Sequence, residues 1–287
     1  MKKITFMVCP HDTAKNPDRW FMFAQFLTKN INSSVKFEQS LDFVDFHKEI
    51  TSGGLIYSNP QDSLKLIKNH GYIPIARPIN LFDEIVFITS HKIKKPTLQD
   101  FSENTVVSVT DMMVTQVGIN YLQKEKIIPS EVLSKPSWMA VIKSMTRNEY
   151  NFALVYKDFY DGLTNLSKSG VQKVGETQEE IIHHNFLIAP ELQAMTEAIQ
   201  SCLLTMQKNN SQGEKILNSL GMEKLVAVNK TDILHPWNST KNTIKVIAKK
   251  LAKAPTLDPY NQPINNSEEL RTVKIKSLDE NTSYRIK

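Results

Sequence analysis

The sequence predicts an α/β protein of two lobes, a bilobed clamshell in which the chain crosses between lobes twice. Three observations carry this. Short apolar runs alternate with segments of helical spacing from Ile4 to His70, the pattern of a mostly parallel sheet. A second set of such elements begins after Glu84, and an apolar stretch returns at Glu180 to Ala189. At 287 residues the chain suits two α/β lobes better than one core. The expected partition is residues 1–88 with 187–230 as lobe 1, 89–186 as lobe 2, and 231–287 as a basic C-terminal extension.

Taken in order, Ile4 to Cys9 reads as a strand, and Asn16-Pro17 offers an N-cap with proline at the first helical position. Trp20, Phe21, Phe23, Ala24, Phe26 and Leu27 follow at helical spacing. Val35 to Glu38 is a short strand and Phe43 to Ile50 a helix. Gly53-Gly54 leads into the apolar strand Leu55-Ile56-Tyr57, and Asp62 to Lys68 is a helix closed by Asn69-His70-Gly71. Ile85 to Ile88 is a strand that runs into polar Thr89 to Lys92. Strands are then expected at Val106 to Val109 and Phe152 to Val155, with helices at Val114 to Glu125, Ala140 to Thr146 and Lys157 to Leu166. Ile181 to Ile188 is the returning strand. Long helices follow at Glu191 to Lys208 and Gln212 to Leu220. Beyond it lie a basic amphipathic helix at Thr243 to Leu251, a loop at Pro255 to Asn266 and a weakly alternating strand at Arg271 to Lys276.

Charge and cysteine usage narrow the function classes. The net charge of +5 arises from Lys230 onward, where eleven Lys or Arg face six Asp or Glu; the body is neutral. A nucleic-acid footprint over the main fold is therefore not expected. The apolar run after Met1-Lys2-Lys3 is too short for a secretory signal and flows into a loop, so a cytoplasmic location is expected, with periplasm as the alternative if a leader was removed. No segment is long enough to span a membrane. Cys9 and Cys202 fit reduced, buried thiols rather than a disulfide framework.

Ligands of open α/β sheets sit beyond the carboxyl ends of strands. That rule selects five loops: Pro10-His11-Asp12-Thr13, Tyr57-Ser58-Asn59, Ser108-Val109-Thr110-Asp111 with Thr115, Tyr156-Lys157-Asp158, and the crossing at His183-His184. The expected ligand-binding residues are His11, Tyr57, Ser58, Asn59, Ser108, Thr110, Asp111, Thr115, Tyr156 and His184. Asn59, Asp111 and Asp158 each precede a helix, whose free N–H groups suit an anion. Each also has a bland reading: Asp111 and Asp158 as N-caps, Asn59-Pro60 as a normal helix start, Tyr57 as a core tyrosine. His183 and His184 alternate across the expected strand, so at most one faces a ligand. They lack the helical spacing and nearby carboxylate of a metallohydrolase motif, and no metal or other cofactor is expected. Cys9 beside His11 resembles a thiolate pair, although a cysteine ending a buried strand is more often inert. The nucleophile elbow and the glycine-rich phosphate and dinucleotide loops are all absent.

Several blocks resemble the substrate-binding proteins of phosphate, phosphite and phosphonate ABC transporters, the phosphonate-binding branch of the type 2 periplasmic binding proteins. They are Gly54-Leu55-Ile56-Tyr57-Ser58-Asn59-Pro60-Gln61-Asp62, Gly71-Tyr72-Ile73-Pro74-Ile75-Ala76-Arg77-Pro78, and Tyr150 to Tyr156 with Tyr160-Asp161. Ile182 to Pro190, Leu204-Thr205-Met206, Gly213 and Ile216 to Gly221 complete the set. The resemblance implies two α/β lobes, two crossing strands and a small oxyanion held by helix N-termini and hydroxyls. It also marks two departures. Where such proteins usually carry a Ser-Thr-Ser loop, this chain has Thr110-Asp111-Met112-Met113-Val114-Thr115, an acidic side chain and two methionines that would fail to solvate a phosphonate dianion. Where they often place a carboxylate for a ligand amine stands Tyr156.

Three readings follow. The leading one is a non-catalytic module that binds a small anionic or zwitterionic solute of the phosphonate or phosphate class. Its partner is an ABC permease or a signalling protein. The enzyme alternative rests on Val8-Cys9-Pro10-His11-Asp12-Thr13, which looks like the Cys-Pro-Asn-Asp-Thr opening of menaquinone-pathway enzymes on the same fold. In the third, the basic helix at Thr243 to Leu251 docks on a membrane surface or an acidic partner rather than packing with a solvated face.

Overall fold

The computed structural model describes residues 3–13, 16–40, 42–208 and 211–239. The basic helix, loop and strand expected over 243–276 lie outside these. The described strands are β1 (Lys3–Val8), β2 (Ser34–Glu38), β3 (Leu55–Ser58), β4 (Ile73–Pro78), β5 (Ile85–Ser90), β6 (Thr105–Ser108), β7 (Glu131–Ser134), β8 (Phe152–Tyr156), β9 (Val171–Glu176), β10 (Asn185–Ile188) and β11 (Leu225–Ala227). They form two sheets, each in its own compact unit. One unit is Met1–Phe82 with Ile182–Pro236, and the other is built on Asp83–Ile181.

The first unit carries a sheet of order β11-β4-β10-β3-β1-β2. β1 runs parallel to β2 and β3, whereas β10 is antiparallel to both β3 and β4, and β11 is antiparallel to β4. The second unit repeats the plan in the order β7-β6-β8-β5-β9. β6 is parallel to β7 and β8, and β5 is antiparallel to β8 and β9. Both sheets are therefore mixed rather than mostly parallel. In each, a reversed strand is the one the chain enters just after passing from one unit to the other, β5 after Phe82 and β10 after Ile181; the edge strand β11 of the first sheet is reversed as well. Local helix–strand alternation carries no record of that reversal.

The reversal has a geometric consequence. Asn185 at the start of β10 pairs with Ser58 at the end of β3, and Ile85 at the start of β5 pairs with Tyr156 at the end of β8. The residues just before β10 and β5 thus share an edge with the loops that leave the parallel strands.

Aromatic packing fixes the first unit's sheet. Phe6 stacks on Phe23 at 5.6 Å and Phe23 on Phe186 at 5.3 Å, while Trp20 lies edge-on to Phe6. Each such pair contributes roughly 0.5–1.5 kcal/mol beyond its buried area. In the second unit Phe101 packs edge-on against Phe87 and Phe152 at 5.8 and 5.1 Å.

Several expected elements differ. The returning strand is confined to Asn185–Ile188, and Ile181 to His184 have no regular structure. The helix expected over Lys157 to Leu166 is split into Lys157–Asp161 and Asn165–Lys168, the second capped by Thr164. Glu191 to Lys208 is a 3-10 segment, Pro190–Met195, followed by the α-helix Thr196–Leu204. Proline at the first position starts that tighter turn. β4 contains two prolines yet sits inside its sheet; Pro74 pairs with Leu187 where the register shifts, so a bulge absorbs the missing donor. Pro17, expected as the first helical residue, takes the cap position, and Asn16 Oδ1 accepts from the Asp18 amide at 3.2 Å.

Candidate functional site

In the first unit the edge formed by the ends of β1 and β3 and the segment before β10 is dense in polar groups. Cys9 leaves β1 with its amide donated to the Tyr57 carbonyl at 2.8 Å. The turn Pro10–Thr13 is closed by Asp12 N to Cys9 O at 3.0 Å and by Thr13 Oγ1 to Pro10 O at 3.0 Å. Trp20 donates its indole N–H to the Asp12 carbonyl at 3.1 Å, tying the turn to the following helix. Cys9 Sγ lies 3.3 Å from His11 Nδ1, and His184 Nδ1 lies 3.0 Å from Asp12 Oδ2. The two imidazoles meet edge to face at 4.7 Å.

The electrostatics of this edge follow from burial set against pairing. Cys9 is fully buried, which pushes its thiol well above the ordinary value, and the Asp12 and Asp62 charges add to the push. Burial also acts to raise Asp12, but the His11 and His184 imidazoles more than offset it and hold that carboxyl below its usual value. A neutral thiol beside an ionised carboxylate does not fit a thiolate–imidazole nucleophile.

Asn59 starts the helix Pro60–His70 as its cap, accepting from the Asp62 amide at 2.9 Å and donating to Asp62 Oδ2 at 2.7 Å. Its Nδ2 also reaches Cys9 Sγ at 3.6 Å. His47 Nε2 lies 3.0 Å from the same Asp62 oxygen. Ser58 is turned inward: its hydroxyl is 3.0 Å from that of Ser63, to which Asn185 also donates. Tyr57 is 1% exposed and packed at 5.0 Å from Trp20, 4.6 Å from Phe186 and 5.4 Å from His184.

The second unit presents the ends of β6 and β8 and the segment before β5. The hydroxyls of Ser108 and Thr115 are 3.0 Å apart; Ser108 donates to Leu154 O at 3.0 Å and Thr115 to Val109 O at 2.7 Å. Both side chains are fully buried, Thr110 is buried and Asp111 is exposed. The helix Met113–Lys124 begins without a side-chain cap, so Asp111 is not the N-cap expected of it. Partial desolvation raises the Asp111 carboxyl above its ordinary value. Asp158 is not a cap either. It lies within the helix Lys157–Asp161, and its carboxylate approaches the Tyr156 hydroxyl at 3.3 Å. Asp83 accepts from the same hydroxyl at 3.0 Å.

The structure thus brings His11, Tyr57 and His184 together, with Ser58 and Asn59 committed to local bonds, all within the first unit. Ser108, Thr110, Asp111, Thr115 and Tyr156 belong to the second. His183 and His184 precede β10 instead of alternating along it, and both are buried. The carboxylate that His184 lacks in sequence is supplied by Asp12. Asp12, Asp62, His47 and Asp83, none of them among the expected ligand-binding residues, also bond at these edges. Asp12 alone carried a signal, its place directly after His11 at a strand end; Asp83 meets Tyr156 only through the reversed strand. Among the described residues no helix is long and apolar enough to cross a membrane, and Cys9 and Cys202 are buried and unbridged.

A model of the family described as "ABC transporter, phosphonate, periplasmic substrate-binding protein" matches residues 6–233. No curated protein sequence matches. Among solved structures, PhnD1 from Prochlorococcus marinus, in complex with methylphosphonate, superposes with a TM-score of 0.62 at 14% identity over 83% of this chain and 96% of its own. The periplasmic aliphatic sulphonate-binding protein SsuA from Escherichia coli gives 0.62 at 10% identity, over 84% and 91% of the two chains. A binding-protein component of an ABC phosphonate transporter from Pseudomonas aeruginosa gives 0.59 at 12%, over 84% and 85%. At such identities these likenesses speak for the fold, that of the two-lobed periplasmic binding proteins.

Proposed function

The chain belongs to the periplasmic substrate-binding proteins of phosphonate ABC transporters, and from that premise we propose that its solute is a small oxyanion of the phosphonate, phosphate or sulfonate class bearing an amine. The family binds solutes and does not transform them, which leaves the menaquinone-pathway alternative without support. The observation that carries the reading is the family match over residues 6–233.

Local chemistry in the second unit refines the ligand. The helix Met113–Lys124 starts without a side-chain cap, so its first amides and dipole favour an anionic oxygen beside Thr110. Exposed Asp111 next to it disfavours a bare dianion. At the end of β8 the resemblance implies a carboxylate for a ligand amine, and there the Tyr156 hydroxyl is flanked by Asp83 and Asp158. Neighbouring chain supplies the carboxylates that the position itself lacks. An ammonium group on the ligand answers both features.

The family's description as periplasmic does not support the cytoplasmic expectation and supports its alternative, an extracytoplasmic protein that delivers its solute to an ABC permease. Titration calorimetry against phosphate, phosphite, methylphosphonate, a 2-aminoalkylphosphonate and an aminosulfonate tests the assignment. Saturable heat is expected, strongest with the aminated phosphonate. Absence of heat with all five overturns it.

A further inference from the structure

The turn that leaves β1 places a thiol, an imidazole and a carboxylate together. Cys9, His11 and Asp12 each offer one donor atom, and these atoms all lie within 4.8 Å of one another. Cys9 Sγ is 3.3 Å from His11 Nδ1, and His11 Nε2 is 3.6 Å from Asp12 Oδ1. Zinc bonds of about 2.0–2.3 Å at tetrahedral angles hold neighbouring donors about 3.3–3.6 Å apart. Those two distances use different nitrogens of His11, of which a single ion takes one, so the three donors, within 4.8 Å of one another, have to draw together by side-chain rotation to bind one ion.

We propose that Cys9, His11 and Asp12 form a binding site for a soft divalent cation, zinc foremost, with His184 as the positioning residue that holds Asp12. A thiolate in the donor set selects against magnesium and calcium. The thiolate and the carboxylate together neutralise a divalent ion, so the buried complex carries no net charge. Zinc displaces the thiol proton to solvent on binding.

The surroundings supply the outer contacts that ordered metal sites use. His184 Nδ1 faces the second Asp12 oxygen at 3.0 Å, leaving Oδ1 toward His11. Asn59 Nδ2 donates to Cys9 Sγ at 3.6 Å, a contact that suits an anionic sulfur. The Trp20 indole and the Cys9 carbonyl fix the Asp12 backbone. Three protein ligands leave a fourth tetrahedral position for water or an anionic oxygen. The site is composed wholly of first-unit residues and does not depend on the identity of the solute.

Cobalt is the spectroscopic probe. Reduced full-length protein titrated with Co2+ should develop a near-ultraviolet thiolate-to-cobalt charge-transfer band that Zn2+ abolishes. Cys9→Ser should remove the band and Cys202→Ser retain it. His11→Gln and Asp12→Asn should each weaken Zn2+ binding by more than about tenfold, measured by competition with a chromophoric chelator. His184→Gln should weaken it less than either. A reduced wild-type protein that gives no such band overturns the proposal without reference to any variant, as does a band that survives in folded Cys9→Ser protein.

Discussion

Asn59 and Asp62 hold each other across the first turn of the helix Pro60–His70, the Asp62 amide donating to Asn59 Oδ1 at 2.9 Å while Asn59 Nδ2 donates to Asp62 Oδ2 at 2.7 Å. The asparagine thus serves two buried groups at once. Asn59→Ala removes a helix cap and one donor to a buried carboxylate, and should cost about 2–4 kcal/mol in urea unfolding. Asn59→Asp keeps the acceptor for the amide but sets a second carboxylate against the first. The loss should shrink on acidification in both variants, and by more in Asn59→Asp, because Asn59→Ala removes only a donor that holds the Asp62 carboxyl down, whereas Asn59→Asp adds a repelling charge.

Asp62 gives the protein an acid-sensitive term. Burial acts to raise its carboxyl, but the hydrogen bond and charge of His47, with Lys65 and Asn59, more than offset this and leave it below the ordinary value. A folded value below the unfolded one means stability that is present above about pH 4 and lost as pH falls through the folded value. Denaturant unfolding of wild type and Asp62→Asn should differ most above about pH 4 and converge as pH falls through the folded value of the carboxyl. A gap that is constant with pH would exclude this role.

Ser108 and Thr115 share a buried network in which two hydroxyl protons serve three contacts. Thr115→Val keeps the shape but strands the Val109 carbonyl and one contact of Ser108, and should lower stability by about 1–3 kcal/mol. Both side chains are fully buried in their own unit, so solute affinity should be unchanged. A fall in affinity without a fall in stability would return Thr115 to the ligand.

Much of this architecture is legible from local pattern. The strands at Ile4, Leu55, Ile85 and Phe152 and the Asn59-Pro60 helix start need only apolar runs and capping chemistry. The reversed strands β5 and β10 are set by the chain's passage between units, and no short window records that. This hid the Asp12–His184 and Asp83–Tyr156 pairs, whose members lie far apart in sequence. Asn59 and Ser108 are visible as polar residues at strand ends, but whether such a group faces a ligand, caps its own helix as Asn59 does or bonds to a neighbouring strand as Ser108 does depends on a rotamer.

Two glycines that carry the family resemblance differ in why they are glycine. Gly71 ends its helix at φ 69°, and an added Cβ there would approach Pro190 Cγ at an ordinary 3.4 Å. Gly71→Ala should cost about 1–2 kcal/mol, the left-handed penalty alone. A Cβ on Gly213 would fall 2.6 Å from the Met206 carbonyl oxygen and 2.9 Å from Met206 Cα, backbone atoms that cannot swing aside. Gly213→Ala should cost about 3 kcal/mol or more. Thermal unfolding that ranks the two the other way would refute the steric account.

Tyr156 offers one hydroxyl proton to two carboxylates, Asp83 at 3.0 Å and Asp158 at 3.3 Å. Asp83 is 9% exposed, so losing that donor leaves a largely buried carboxylate to be stabilised by something else. Tyr156→Phe should therefore lower the stability of the free protein by about 1–3 kcal/mol. If the solute carries an ammonium group, that group can restore the compensation which the phenol supplied, and a plain anion cannot. The ratio of affinities for a 2-aminoalkylphosphonate over methylphosphonate should rise in Tyr156→Phe and fall in Asp83→Asn. Calorimetry on the three proteins decides the matter. A ratio that stays constant across them would place the amine-recognising carboxylates elsewhere, while the stability loss in Tyr156→Phe would remain as the measure of the hydrogen bond itself.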